Sequence, residues 1–306
     1  MPKPYKQAPC TVSLVSTATI QLQPILPMTI SSPQNPRIKQ LLLLQQKSSE
    51  RRKTGLFVVE GRRELLHCIE AGHRVDSVFF CAELLGYDPT DAPTLSALLG
   101  LPSDAVPTPQ PTCYALTPQV YEKVAYRGST EGLMATVEAH PLTLDDLQLG
   151  PQPLIIVLES VEKPGNLGAV LRSADAAQAD AVVVCDPLTD LYNPNLIRSS
   201  IGAVFTVPCV ACTSEACISF LQQRGISILT AQLQDSHLYY DTPMTGPTAI
   251  VMGTESTGLT QQWRQAATAH IRIPMLGRLD SLNVSVSAAI LLYEAVRQRQ
   301  QASTTS

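Results

Sequence analysis

No stretch of this 306-residue chain approaches the roughly 18 consecutive apolar residues that a membrane-crossing helix requires. No Gly-Lys-Ser/Thr occurs anywhere, and no Gly-x-Gly-x-x-Gly follows the first strand of the C-terminal half. P-loop and dinucleotide chemistry therefore lack their phosphate loops. Positive charge is not in excess: 22 Lys and Arg stand against 26 Asp and Glu, which argues against a uniformly basic nucleic-acid coat protein. Eight cysteines are too sparse for a disulfide scaffold, and a reducing compartment fits them best. Residues 1–27 contain neither an acidic residue nor an arginine; Lys3 and Lys6 are their only charges. This Pro/Thr/Gln-rich segment has no apolar core with a small-residue cleavage site, so it does not read as a secretory signal. The expectation is a disordered extension, translation from Met28 and a cytoplasmic location, with organelle targeting left open.

The length suffices for two domains and a sizeable core. Residues 28–140 read as a small α/β unit. A helix from Asn35 carries Ile38, Leu41, Leu42 and Leu44 on one side, and strands are expected at 56–60, 75–80 and 133–137. A helix over 64–71 stops at Gly72, and 87–111 reads as loops around a short helix. The Pro-rich stretch 141–153 is the expected linker. From 154 to 300 strands and helices alternate, with strands at 154–158, 181–185, 205–210, 226–231, 249–252 and 271–273. Helices are expected from 166, 195 and 214, near 259 and from 282. Apolar strands alternating with helices mean a mostly parallel sheet covered on both faces.

Charge is uneven along the first unit. Arg37, Lys39, Lys47, Arg51, Arg52, Lys53, Arg62 and Arg63 crowd together against Glu50 and Glu60. Such a cluster either pairs with phosphates or forms a solvated helix face. In the second unit, Cys209-Val210-Ala211-Cys212, with Cys217 nearby, has a metal-like or redox-like spacing. No second Cys or His pair stands at a matching interval, so no metal is expected, and Cys209 reads as a small buried hydrophobe.

Three segments carry the chemistry. Asn166-Leu167-Gly168-Ala169-Val170-Leu171-Arg172 follows the first strand of the second unit, where open α/β sheets bind ligands. Its arginine is either a surface charge or a functional cation. Gly253-Thr254-Glu255-Ser256-Thr257-Gly258-Leu259 ends a strand, offers a carboxylate, and uses Gly258 for a positive-φ turn; a plain turn before a helix is the other reading. Ile273-Pro274-Met275-Leu276-Gly277-Arg278-Leu279-Asp280-Ser281-Leu282-Asn283 shapes a loop before the last helix, with Ser281 as expected N-cap and Asn283 in the first turn. That helix is apolar nearly all round from Val286 to Leu292, so both its sides need cover.

Together these motifs resemble the SpoU branch of the SPOUT superfamily, S-adenosylmethionine-dependent RNA ribose 2′-O-methyltransferases. Asn166 and Arg172 match the first family motif. Gly253, Glu255, Gly258 and Leu259 match the second, and Pro274, Met275, Gly277, Ser281, Leu282, Asn283, Val284 and Ser285 the third. Residues 198–203 resemble a segment the family carries between them. Asn35-Pro36-Arg37-Ile38-Lys39, Phe57-Val58-Val59-Glu60-Gly61 and Gly132-Leu133-Met134-Ala135 resemble a ribosomal-protein-like RNA-binding domain. The resemblance implies a trefoil-knotted α/β methyltransferase domain, an exception to the rule against knots. It also implies a homodimer through the terminal helix. S-adenosylmethionine would be held around Gly253, Ile273, Met275, Gly277 and Leu282. Arg172, Asn166, Glu255, Ser281 and Asn283 would serve catalysis, and Arg37, Lys39, Arg51, Arg52, Lys53 and Arg62 would bind RNA. Ribosomal RNA is favoured over transfer RNA because a folded adaptor can grip a distant structural element. A tRNA methyltransferase and a catalytically silent RNA-binding protein are the alternatives. The family's proposed base is the arginine at Arg172. Neutralising it at pH 7 costs on the order of 7 kcal/mol, whereas a charged Arg172 stabilising a developing alkoxide avoids that cost.

Overall fold

The computed structural model describes residues 28–88, 93–102, 110–126, 131–254 and 257–305. The expected extension 1–27 falls outside them. In the first domain the elements run β1 (Met28–Ile30), α1 (Pro36–Gln46), α2 (Ser48–Thr54), β2 (Leu56–Glu60), α3 (Arg62–Glu70), β3 (Val75–Phe80), α4 (Ala82–Leu85), α5 (Leu95–Leu99), β4 (Thr112–Leu116), α6 (Pro118–Val124) and β5 (Leu133–Glu138). The sheet order is β1-β4-β3-β5-β2, with β5 antiparallel to both neighbours. Asn35 starts α1 by accepting the Arg37 amide at 2.9 Å, with Pro36 at the first helical position. Ile38, Leu41 and Leu44 are the helix's buried face, and Leu42 is only partly covered.

The second domain continues with β6 (Leu154–Glu159), α7 (Pro164–Ala176), β7 (Ala181–Cys185), α8 (Pro194–Ser199), α9 (Ala203–Thr206), β8 (Cys209–Cys212), α10 (Ser214–Gln223), β9 (Ser227–Ala231), β10 (His237–Leu238), β11 (Thr248–Met252), α11 (Gln261–Ala266), β12 (Ala269–Arg272) and α12 (Val284–Thr305). Every described pairing in this sheet is parallel, in the order β10-β12-β9-β11-β6-β7-β8. Strand alternation divides the core. Leu154, Ile156, Leu158, Val182, Val184, Ile250 and Met252 pack with α7 and α12. Ile155, Val157, Val183 and Val251 face α10 and α11, around the buried Trp263. The sheet is thus the doubly covered α/β layer that its continuous apolar strands required.

Two local expectations give way. Residues 205–210 were expected as a strand; instead Gly202, at φ 81, turns the chain into the short helix α9, and the strand starts only after Pro208. Phe205 is held by packing at the domain junction, 5.9 Å from the Phe57 ring. Within the expected linker 141–153, Leu147 is buried with the second domain's core, and Thr143 caps a 3₁₀ turn over Leu144–Asp146. The terminal helix begins at Val284, so Asn283, not Ser281, is its cap: Asn283 Oδ1 accepts the Ser285 amide at 3.0 Å.

The domains share an apolar junction. The Phe57 ring stacks on Tyr192 at 4.4 Å, and His73 packs edge-on to both Phe57 and Phe205.

Candidate active site

The chain leaves β6 towards β7 and β8 on one side, and later fills β11, β9, β12 and β10 on the other. The order therefore reverses beside β6, and the carboxyl ends of β6 and β11 frame the crevice where such sheets bind ligands. Each end carries a backbone adaptation. Ser160 takes φ 53, left-handed for a residue with a side chain. At Gly253 a Cβ would overlap the Gly258 carbonyl and the Leu259 amide, so the loop folds back on its own strand end only because residue 253 is glycine. Gly258 takes φ 67, the expected positive-φ turn, and its amide donates to the Thr254 carbonyl at 3.0 Å.

A cleft of about 310 Å³ opens there, between the chain ends of β9, β11 and β12 and the start of α12. Met252, Leu259, Ile271 and Ile273 give it apolar walls. Gln232 and Arg264 also line it, and each keeps a buried polar atom, Gln232 Oε1 and Arg264 Nε, with no partner among the described residues. An apolar slot with unspent buried donors and acceptors suits a nucleoside, and its volume lies in the range of about 300–1,000 Å³ usual for small-molecule sites. S-adenosylmethionine therefore fits the residues present. Of the positions expected to hold it, Gly253, Ile273, Met275 and Leu282 line the cleft, whereas Gly277 stands outside it in open space. A smaller cleft of about 120 Å³ shares Gly253, Thr254 and Val284 and adds Ser160, Lys163 and Asn166.

The structure brings Asn166 and Asn283 together: Asn283 Nδ2 donates to Asn166 Oδ1 at 3.2 Å. Ser281 lines the larger cleft, with its hydroxyl 3.3 Å from Asp280 Oδ1. Arg172 is exposed on α7, and no carboxylate pairs with it among the described residues. It sits six residues past Asn166, about 9 Å along the helix axis, and lines neither cleft. Glu255 lies outside the described residues. Gly168 has a packing role, since a Cβ there would overlap Ser199 of α8.

Glu159 is the residue the sequence reading missed. At the end of β6 it is buried, and its carboxylate accepts from the Thr260 amide at 2.8 Å and the Thr260 hydroxyl at 2.6 Å. It thereby fastens the loop after β11 to the neighbouring strand. A carboxylate closing an otherwise apolar strand was its available signal. The arginine cluster also divides. Arg37, Lys39, Arg52 and Lys53 are exposed, with the Arg37 guanidinium 4.4 Å above the Tyr114 ring. Arg51 does not belong to that surface: it is buried, paired with Asp190 at 2.6 Å, and donates to the Leu44 and Gln45 carbonyls. Its charge is consumed inside the protein. Arg62 donates to the Leu99 carbonyl.

The sequence profile of the SpoU rRNA methylase family matches residues 153–293, and that of an MRM3-like substrate binding domain matches residues 35–135. Over 190 residues the chain is 36% identical to 23S rRNA (guanosine-2′-O-)-methyltransferase RlmB of Vibrio parahaemolyticus, covering 60% of this chain and 77% of that protein. RlmB of Pectobacterium atrosepticum is 39% identical over 52% of this chain, a match that spans 64% of that relative's length. The 23S rRNA (guanosine(2553)-2′-O)-methyltransferase RlmP of Bacillus subtilis is 28% identical over 86% of this chain and 97% of its own. Among solved structures, an RNA 2′-O ribose methyltransferase superposes with a TM-score of 0.74 at 37% identity, covering 89% of this chain and all of that one. The SpoU methyltransferase AviRb from Streptomyces viridochromogenes, crystallised with AdoMet, gives 0.75 at 27% identity, covering 87% of this chain and 100% of its own.

Fold, cleft and relatives together define an S-adenosylmethionine-dependent RNA ribose 2′-O-methyltransferase. The chain belongs to the SpoU rRNA methylase family.

Proposed function

We propose that this protein methylates the 2′-hydroxyl of a guanosine ribose in large-subunit ribosomal RNA. One observation carries the reading: the first-motif and third-motif asparagines meet beside a nucleoside-sized cleft at the sheet's switch point. The activities of the RlmB and RlmP relatives support the choice of RNA and base.

When bound, S-adenosylmethionine supplies an electrophilic methyl group on a sulfonium sulfur. The chain's own residues do the rest. Met252, Leu259, Ile271 and Ile273 would hold the adenosine, and Gln232 and Arg264 would hydrogen-bond its polar edge. Asn166 and Asn283 orient the reacting end, and Glu159 keeps the loop after β11 in place. Arg172, charged at every physiological pH, takes the phosphate beside the target ribose and stabilises the oxyanion as it develops. Exposed Arg37, Lys39, Arg52 and Lys53 pair with RNA phosphates. Ser281 and Glu255 complete the site in this reading.

The active species is a homodimer. Leu276 and Leu279 are 96% and 79% exposed, and Leu282, Val286 and Tyr293 continue that apolar exposure onto α12. Such a surface asks for cover, and a second copy supplies it. The trefoil knot is part of the same proposal, supported by the backbone crowding at Gly253. No described helix is long and apolar enough to cross a membrane, and the cytoplasm is the proposed location. Mapping 2′-O-methyl groups in RNA from cells with and without this gene tests the substrate. One guanosine of large-subunit rRNA should lose its methyl; an unchanged rRNA map with a mark lost from tRNA overturns it.

A further inference from the structure

The Cys209-x-x-Cys212 spacing cannot chelate, because strand alternation sends the two side chains to opposite faces. Cys209 is buried with the α7 side of the core, whereas Cys212 packs with the α10 side. The structure replaces that pair with a different set. Cys185 ends β7 and Cys212 ends β8, and the two are register partners in the parallel ladder, so their side chains lie side by side on one face. Helix α10 covers that face and sets Cys217 above them. The three sulfur atoms all lie within 4.8 Å of one another. Cys185 and Cys217 are buried and Cys212 is half-buried.

We propose that Cys185, Cys212 and Cys217 form a binding site for one soft, closed-shell metal ion, zinc being the probe that defines it. Zinc–thiolate bonds of about 2.3 Å in a tetrahedron put sulfurs about 3.8 Å apart, which small side-chain rotations reach from the observed spacing. Three thiolates from three elements satisfy the ion on one side. The fourth position faces the half-exposed Cys212 edge and takes a water molecule. The three bind as thiolates, so an arriving cation expels their protons. Hard oxygen-seeking cations are disfavoured by an all-sulfur donor set. The site would pin β7, β8 and α10 into one unit, on the sheet face opposite α7 and α12.

The test uses the full-length, fully reduced protein, stripped of metal and titrated with zinc by calorimetry. The expected result is one zinc per chain, with proton release that scales with the buffer's ionisation enthalpy. Melting temperature should rise by several degrees. Cys185→Ser, Cys212→Ser and Cys217→Ser should each weaken binding at least tenfold, and Cys209→Ser should bind like the parent. Cobalt should give a thiolate-to-metal charge-transfer band in the parent and not in Cys212→Ser. Should a serine variant fail to fold, alkylation of the parent decides: zinc should slow labelling of Cys212 at least tenfold. Sub-stoichiometric binding, unchanged affinity in the three variants, unprotected Cys212, or a disulfide among the three in the protein as purified overturns the proposal.

Discussion

Asn283 Nδ2 donates to Asn166 Oδ1 across 117 residues of chain, so the cap of α12 is tied to the first turns of α7. The same side chain caps α12 through Oδ1, which also accepts the Ser285 hydroxyl at 2.6 Å. The two jobs separate by substitution. Asn283→Asp keeps the capping oxygen but has no donor for Asn166. Asn283→Ala loses both, including a cap worth about 1 kcal/mol. The alanine variant should melt about 2–4 °C lower. The aspartate variant should melt like the parent yet transfer methyl groups at least tenfold more slowly. Thermal melts and a methyl-transfer assay check both.

Two motif glycines should answer differently to one methyl group. A Cβ on Gly253 meets backbone atoms of Gly258 and Leu259, which cannot rotate away; one on Gly277 meets nothing within 4 Å. Gly253→Ala should weaken S-adenosylmethionine binding at least tenfold, a loss of about 1.4 kcal/mol or more. Gly277→Ala should stay within about twofold of the parent, about 0.4 kcal/mol. Calorimetric titration reads both.

Arg51 and Arg52 are sequence neighbours with opposite tasks. Arg51 is 5% exposed and joins the C-terminal carbonyls of α1 to Asp190 of the other domain, which is 17% exposed. Removing one partner of such a pair leaves a buried charge and costs about 3–5 kcal/mol. Arg51→Ala should therefore lower the melting temperature markedly. Arg52→Ala should leave it unchanged and instead reduce the slope of log affinity for RNA against log salt by about 1.

His73 sits in the domain junction, where burial holds its pKa below the ordinary histidine value. Its ring lies 6.0 Å from His140, whose electrostatic effect lowers the His73 pKa further. Between the lowered folded pKa and the unfolded value near about 6.5, the unfolded chain binds more protons than the native one. Stability from this residue is present above that pH and is lost as pH falls through it. Melting temperature should drop between about pH 7 and 5, and His73→Phe should flatten that drop. An equally steep profile in the variant assigns the effect to other groups.

The parts of this fold that were legible in the sequence are those where burial leaves a repeating pattern. Strands β6, β7 and β11 are near-unbroken apolar runs because they are covered on both faces, and they announced the parallel sheet. The glycine and proline breaks after β11 and β12 mark where the cleft opens: five of the candidate positions, Gly253, Ile273, Met275, Ser281 and Leu282, line it. Short elements left no such pattern: β1, β4, α2 and α6 went unseen. Long-range partners were invisible too. Arg51 reads as one more surface cation until Asp190 arrives from 139 residues away. Ser281 and Asn283 are equally good caps by residue type, and only the path of the chain chooses between them. Cys185 was overlooked because its partners are set by sheet register and a helix above it, not by spacing.

The most direct test of the catalytic account measures Arg172→Ala beside the parent. Methyl transfer from tritiated S-adenosylmethionine would be followed on large-subunit rRNA from cells lacking the gene, with cofactor affinity measured by calorimetry. The parent should label one ribose 2′-oxygen. The variant should bind S-adenosylmethionine within about twofold of the parent and transfer at least about 100-fold more slowly, as expected for losing one oxyanion-stabilising group. Near-normal transfer by Arg172→Ala would contradict it.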